Sequence, residues 1–139
     1  MLGKHDHIAY IARDLDAAVA TLSSIFGMEV TREFELPAFS LRSVFLHDGT
    51  ALVEVFELFT PELAEPRLAD FDLQLDHVGY EVPDIEEAAA PLRAVGVRFS
   101  GPDGIEVDSP VDLGGSLHLW TMPGSEALGL NLQLIERPT

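Results

Sequence analysis

Residues 6–10 read DHIAY, and residues 76–80 read DHVGY. A phrase written twice in one short chain marks a repeated structural unit, and a histidine in the second place of each copy points to two ligands related by that repeat. The sequence after each copy follows the same grammar. DHIAYIA alternates, with His7, Ala9 and Ile11 on one face and Ile8 and Tyr10 on the other, as in a strand. In RDLDAAVATLSSIFGMEV, Asp14 is placed to cap a helix, and Leu15, Ala18, Val19, Leu22 and Phe26 fall at helical spacing. Gly27 closes it, and residues 28–32 resume as strand. SLRSVFLHDG and TALVEVFEL then read as a hairpin turning at Asp48-Gly49.

The second copy repeats this order. DHVGYEV is a strand, PDIEEAAAPLRAVG a helix ending at Gly96, and VRFSG a strand. GSLHLWTMP and LGLNLQLIE form a closing hairpin around GSEA. Asp14-Leu15 aligns with Asp84-Ile85, Leu22 with Leu92, and Gly27 nearly with Gly96. Pro91 should kink the second helix or shorten its last turns. The expected class is α+β: a single domain, residues 1–139, made of two β-α-β-β-β modules at 1–66 and 74–139. Each module alone would leave one sheet face bare. The joining stretch TPELAEPRLADFDLQL reads as too polar and Pro-containing to be another core element.

Composition narrows the function. The 139 residues are 47% hydrophobic, which excludes a disordered chain, and there is no apolar run of membrane-spanning length and no signal-peptide pattern. A cytoplasmic protein that does not enter a membrane is expected. With 24 acidic residues against 8 basic ones, the net charge of −16 repels nucleic-acid backbones, so nucleic acid is not an expected partner and a small-molecule substrate is. There is no cysteine, so a bound metal must be held by His, carboxylate, amide or water.

In the strand LVEVFEL, Leu52, Glu54, Phe56 and Leu58 share one face while Val53 and Val55 share the other, which suits packing under a helix. Glu54 therefore faces away from the helix. Aligning LVEVFE with NLQLIE places Gln133 at the equivalent position of the second module. His7, Glu54, His77 and Gln133 are thus two equivalent pairs. Taken singly, each has a bland reading: a strand histidine is more often a surface residue, and a strand glutamine an ordinary cross-strand hydrogen-bonder. Taken together they form a ligand set for one divalent ion, Co, Ni, Zn, Mn or Fe. His118 in SLHLW shares a face with Ser116 and Trp120 and is a candidate to bind substrate or move protons. Its alternative is a plain hydrogen-bonded strand histidine. Phe39, Phe56, Trp120 and Met122 are candidate pocket lining, and His47 beside the turn is expected to be exposed.

DHIAYIARDLDAAV, ALVEVFEL, LDHVGYEVPDIEEA and GLNLQLIERP, in that order, resemble the vicinal oxygen chelate superfamily. This superfamily includes glyoxalase I, methylmalonyl-CoA epimerase, extradiol dioxygenases and the fosfomycin and bleomycin resistance proteins. The resemblance covers nearly the whole chain and is strongest to the epimerases. It implies paired β-α-β-β-β modules forming a cupped mixed sheet around one divalent metal, with His7, Glu54, His77 and Gln133 at the metal positions. It also implies a homodimer.

Two departures bear on the chemistry. The family's isomerases carry a glutamate at the place of Gln133, where it binds metal and serves as base, and an amide takes no proton at neutral pH. Epimerases carry a second glutamate in the loop where this chain has Ala38. Glu54, in turn, stands where epimerases tend to have glutamine, so the pair looks exchanged. The leading expectation is a metal-dependent isomerase or epimerase that forms a metal-stabilised enolate on a small acyl substrate, such as an acyl-CoA or β-dicarbonyl, with Glu54 as base. The alternatives are an Fe(II) dioxygenase using His7, His77 and Glu54, and a non-catalytic binding or resistance protein of the same fold.

Overall fold

A computed structural model describes residues 2–139. The elements in chain order are β1 (His5–Ala12), α1 (Leu15–Ser24), β2 (Glu29–Leu36), a 3-10 turn (Pro37–Phe39), β3 (Leu41–His47), β4 (Leu52–Leu58) and α2 (Pro61–Leu68). They continue with β5 (Leu73–Glu81), α3 (Ile85–Ala94), β6 (Phe99–Ser100), β7 (Glu106–Val107), β8 (Val111–Leu113), β9 (Ser116–Thr121) and β10 (Leu132–Glu136). The class is α+β, and the first half follows the order β-α-β-β-β while the second carries two further short strands, β7 and β8. The chain falls into two compact units, His7–Asp76 and a second made of the residues up to Asp6 together with His77–Thr139. In the second unit, Gly3 donates its backbone N–H to Glu81 (2.9 Å) and Glu81 donates to Lys4 (2.8 Å).

In the first unit the strand order is β2-β3-β4-β1, with β1 and β4 parallel and the other pairs antiparallel. α1 lies on one face, over Val44, Leu46, Val53 and Val55, and its own Leu15, Ala18, Val19 and Leu22 complete that layer. Asp14 caps it by accepting from Ala17 N (3.1 Å). Gly27, at φ +71°, takes the left-handed conformation that ends the helix, and Met28 N then bonds back to Leu22 O. Phe26, expected on the apolar stripe, lies beyond the last helical residue and is 67% exposed. The hairpin forms as expected, but its loop is longer than the Asp48-Gly49 pair. Asp48 N bonds to Ala51 O, and the Asp48 carboxylate accepts from Thr50 N and Ala51 N. Those backbone donors hold the Asp48 carboxyl below the usual carboxylate range.

The opposite face carries Ala9, Ile11, Leu41, Phe56 and Leu58, and here the joining stretch behaves differently from expectation. It forms α2, whose Ala64 and Leu68 are buried against that cluster. Pro61 sits in the first turn, where a missing N–H costs nothing, and Ala64 and Leu68 are one helical turn apart. The polar residues between them obscured that face.

The second unit has the order β5-β10-β9-β6-β7, with β8 also paired to β9. α3 covers Phe99, Leu119 and Leu134, with its own Ile85 and Ala89 buried among them. Pro91 is accommodated inside α3, which runs on to Ala94. VRFSG contributes only a two-residue strand, and β7 and β8 were not anticipated. The closing hairpin is looser than expected, because LGLN belongs to the loop between β9 and β10. Among the described residues, no helix is long and apolar enough to cross a membrane.

One pair of contacts repeats in both modules. Glu57 at the end of β4 accepts from Leu15 N at the start of α1 (2.7 Å), and Glu136 at the end of β10 accepts from Ile85 N at the start of α3 (2.8 Å). Each carboxylate satisfies a first-turn N–H that no helical carbonyl can reach, and meets the positive end of the helix dipole. Glu57→Ala and Glu136→Ala should each cost about 1–2 kcal/mol, read as a lower urea midpoint with unchanged m-value. A loss under about 0.3 kcal/mol would mean that water replaces the carboxylate.

Candidate functional site

The site residues are fixed by strand register. In the first unit, Glu54 on β4 stands opposite Ala9 on β1, two residues after His7, and opposite Phe45 on β3. Strand alternation puts His7, Ser43, Phe45 and Glu54 on the face away from α1. His7 Nε2 lies 3.2 Å from Glu54 Oε1, and the Ser43 hydroxyl donates to Glu54 Oε2 (2.6 Å). The His7 ring meets Phe45 edge-on, with centroids 5.4 Å apart. His7 and Ser43 are almost wholly buried. Glu54 Oε2 is thus held by Ser43, and Oε1 lies beside His7 Nε2 on the same face.

The second unit repeats the construction. Gln133 on β10 stands opposite Gly79 on β5, two residues after His77, and opposite Trp120 on β9. His77 meets Trp120 edge-on, with centroids 6.0 Å apart. His118 stacks on Trp120, and its Nδ1 lies 2.9 Å from Gln133 Nε2. An amide nitrogen only donates, so His118 Nδ1 is the acceptor and the neutral ring carries its proton on Nε2. His77, His118 and Gln133 are all buried.

These two halves can be tested for their fit to a metal. Gln133 Oε1 is buried and has no hydrogen-bond partner among the described residues. A buried acceptor left so costs about 1–3 kcal/mol, and a cation would remove that cost. The 3.2 Å between His7 Nε2 and Glu54 Oε1 is also the separation of two ligand atoms about 2.1 Å from one ion, at an angle between square and tetrahedral. The first unit offers an imidazole and a carboxylate and the second an imidazole and an amide oxygen, donor types that suit Co, Ni, Zn, Mn or Fe. The residues present fit the group.

The structure therefore joins His7 with Glu54, and Gln133 with His118. Ser43 and Phe45 were missed from sequence. Counting back along the hairpin from its turn pairs Phe45 with Glu54 and puts Ser43 on the same face, so the signal was present in SLRSVFL. Ala38 lies in the 3-10 turn Pro37–Phe39. Phe39 packs against the α2-side cluster, and Phe56 and Trp120 are buried. Met122 follows β9 in the loop. His47 is exposed, and its Nδ1 accepts from Gly49 N (2.9 Å).

Residues 6–109 match the model of the Glyoxalase/Bleomycin resistance protein/Dioxygenase superfamily. The chain belongs to that superfamily. Solved structures of the same glyoxalase-like fold include methylmalonyl-CoA epimerase from Mycobacterium tuberculosis, with a TM-score of 0.80 and 18% identity over 99% of this chain and 90% of that one. A variant of Streptomyces coelicolor methylmalonyl-CoA epimerase in complex with 2-nitronate-propionyl-CoA superposes with a TM-score of 0.79 and 22% identity, over 100% of both chains. A protein from Bacillus halodurans superposes with a TM-score of 0.78 and 20% identity, over 98% of this chain and 95% of that one. No curated protein sequence matches the chain. At these identities the superpositions establish the fold. Within the glyoxalase superfamily, chemistry must be argued from the site.

Proposed function

We propose that the protein is a divalent-metal-dependent epimerase or isomerase acting on a small acyl group carried as a coenzyme A thioester. The observation that carries this reading is the equal register of the two half-sites. Glu54 pairs with the residue two after His7, and Gln133 with the residue two after His77. His7, Glu54, His77 and Gln133 would hold one ion between them. The similarity in fold to structures of methylmalonyl-CoA epimerase, one of them in complex with methylmalonyl-CoA, supports the substrate class.

The ion, when bound, supplies positive charge beside the substrate's carbonyl oxygens, which lowers the cost of removing the proton from the adjacent carbon. Glu54 is the proton acceptor. With Oε1 beside His7 Nε2, the proton is received at Oε2, the oxygen that Ser43 holds. A serine hydroxyl both donates and accepts, so Ser43 turns from donor to acceptor as Oε2 becomes protonated, and the carboxyl group keeps its position in both states. Inversion is completed when a proton from solvent water reaches the opposite face of the planar carbon and the proton on Glu54 Oε2 is released to solvent; return of that proton by Glu54 itself restores the original configuration. Gln133, which takes no proton, serves as an oxygen ligand only.

The test is elemental analysis of the purified protein, followed by NMR of methylmalonyl-CoA in deuterated water with Co²⁺, Ni²⁺, Zn²⁺, Mn²⁺ or Fe²⁺ supplied. Near-stoichiometric metal, lost in the His7→Ala, His77→Ala double variant, is expected together with wash-in of deuterium at the carbon next to the thioester. Bound metal with no exchange under any of the five ions would overturn the epimerase reading.

A further inference from the structure

We infer that Ser43 and His118 are equivalent positioning residues, each chosen in hydrogen-bond polarity to aim its module's metal ligand; this rests on the ion site proposed above. Their places correspond. Ser43 stands two residues before Phe45, which is opposite Glu54, and His118 two residues before Trp120, which is opposite Gln133. Each reaches diagonally across one antiparallel strand pair to the ligand's polar end, at 2.6 Å and 2.9 Å respectively.

The chemistry of the two contacts is opposite, and the opposition follows the ligands. A carboxylate only accepts, so its holder must donate, and Ser43 does. An amide has one end that can ligate a cation, its oxygen, and one that cannot, its NH2. To present the oxygen, the holder must take the NH2, and so must accept. His118 Nδ1 accepts, and the consequence is visible in Gln133 Oε1, which is left buried with no hydrogen-bond partner among the described residues. A donor at His118 Nδ1 would turn the amide over and offer nitrogen to the ion. His118 thereby makes a glutamine a dependable oxygen ligand, and its Nδ1 is committed to that task and not to substrate. Stacking on Trp120 (5.7 Å, 18° between planes) holds the ring that does this.

The inference is tested with and without metal. In metal-free protein, long-range ¹⁵N–¹H NMR of His118 should show an unprotonated Nδ1 and a protonated Nε2. In Co²⁺ titrations, His118→Leu should weaken binding about 10–100-fold, the range for losing a partner that orients a ligand. His118→Asn, whose side-chain oxygen can take the place of Nδ1 as acceptor, should recover binding to within about threefold of wild type. The Co²⁺ absorption bands should shift in the Leu variant and return in the Asn variant, and melting curves of both show that each is folded. A proton found on Nδ1, or equal Co²⁺ affinity for wild type and the Leu variant, overturns the inference. If wild type binds no Co²⁺, the shared-ion reading falls by itself, and the tautomer measurement still decides whether His118 fixes the amide.

Discussion

Glu54→Gln is expected to reduce deuterium wash-in at the acyl carbon by about 10²–10⁴-fold, the usual worth of a positioned general base. The substitution is nearly isosteric, and on the face away from α1 no other β1, β3 or β4 residue is a carboxylate. An amide at position 54 still offers an oxygen beside His7, while its nitrogen can donate to the Ser43 hydroxyl, which reverses from donor to acceptor. The ligand set thus survives in kind, and Co²⁺ should remain bound with roughly tenfold weaker affinity. Loss of exchange with metal retained separates the base from the ligand. Exchange within tenfold of wild type, at saturating Co²⁺, would mean that another group moves the proton and that Glu54 is a ligand alone.

Much of this site was legible because strands obey a period of two. His7, Ala9 and Ile11 sit on one face and Ile8 and Tyr10 pack on the α1 side, as alternation requires. The repeat extended that inference, since a residue matched by phrase in one module, such as Gln133 with Glu54, proves matched in ladder register as well. α1 begins at Asp14, the aspartate read as its cap, and α3 at Asp84, which the repeat aligns with it.

What escaped was set by contacts distant in sequence. The carboxylates of Glu57 and Glu136 reach helix starts 42 and 51 residues away, and nothing local in LVEVFEL or LQLIE announces that. The partner of His118 was invisible for the same reason. Alternation gave its face, while its tautomer depends on which end of Gln133 meets it. α2 was lost to a composition argument. Two buried side chains, Ala64 and Leu68, suffice to dock eight residues when a prepared apolar surface waits for them.

That docking leads to the largest expected change in stability. Arg67→Met should destabilise the protein by about 3 kcal/mol, because it strips a buried carboxylate of its forked partner. Arg67, in the last turn of α2, donates Nε to Asp76 Oδ1 (2.9 Å) and Nη2 to Asp76 Oδ2 (2.7 Å). The Asp76 side chain is only 4% exposed, and that of Arg67 19%, so water screens the pair poorly. The guanidinium also lies over the Phe56 ring, 5.3 Å from its centroid, at the edge of the cluster that receives Ala64 and Leu68. Methionine fills a similar volume against Phe56 but makes neither of the two hydrogen bonds that Arg67 gives Asp76. Adding Asp76→Asn removes the buried charge, so the double variant should recover about half of the loss. Urea denaturation of wild type, Arg67→Met, Asp76→Asn and the double variant reads this directly. A single-variant loss below about 1 kcal/mol would place the pair with exposed ion pairs, and a double variant no better than Arg67→Met would assign the cost to the packing of α2 and not to the charge.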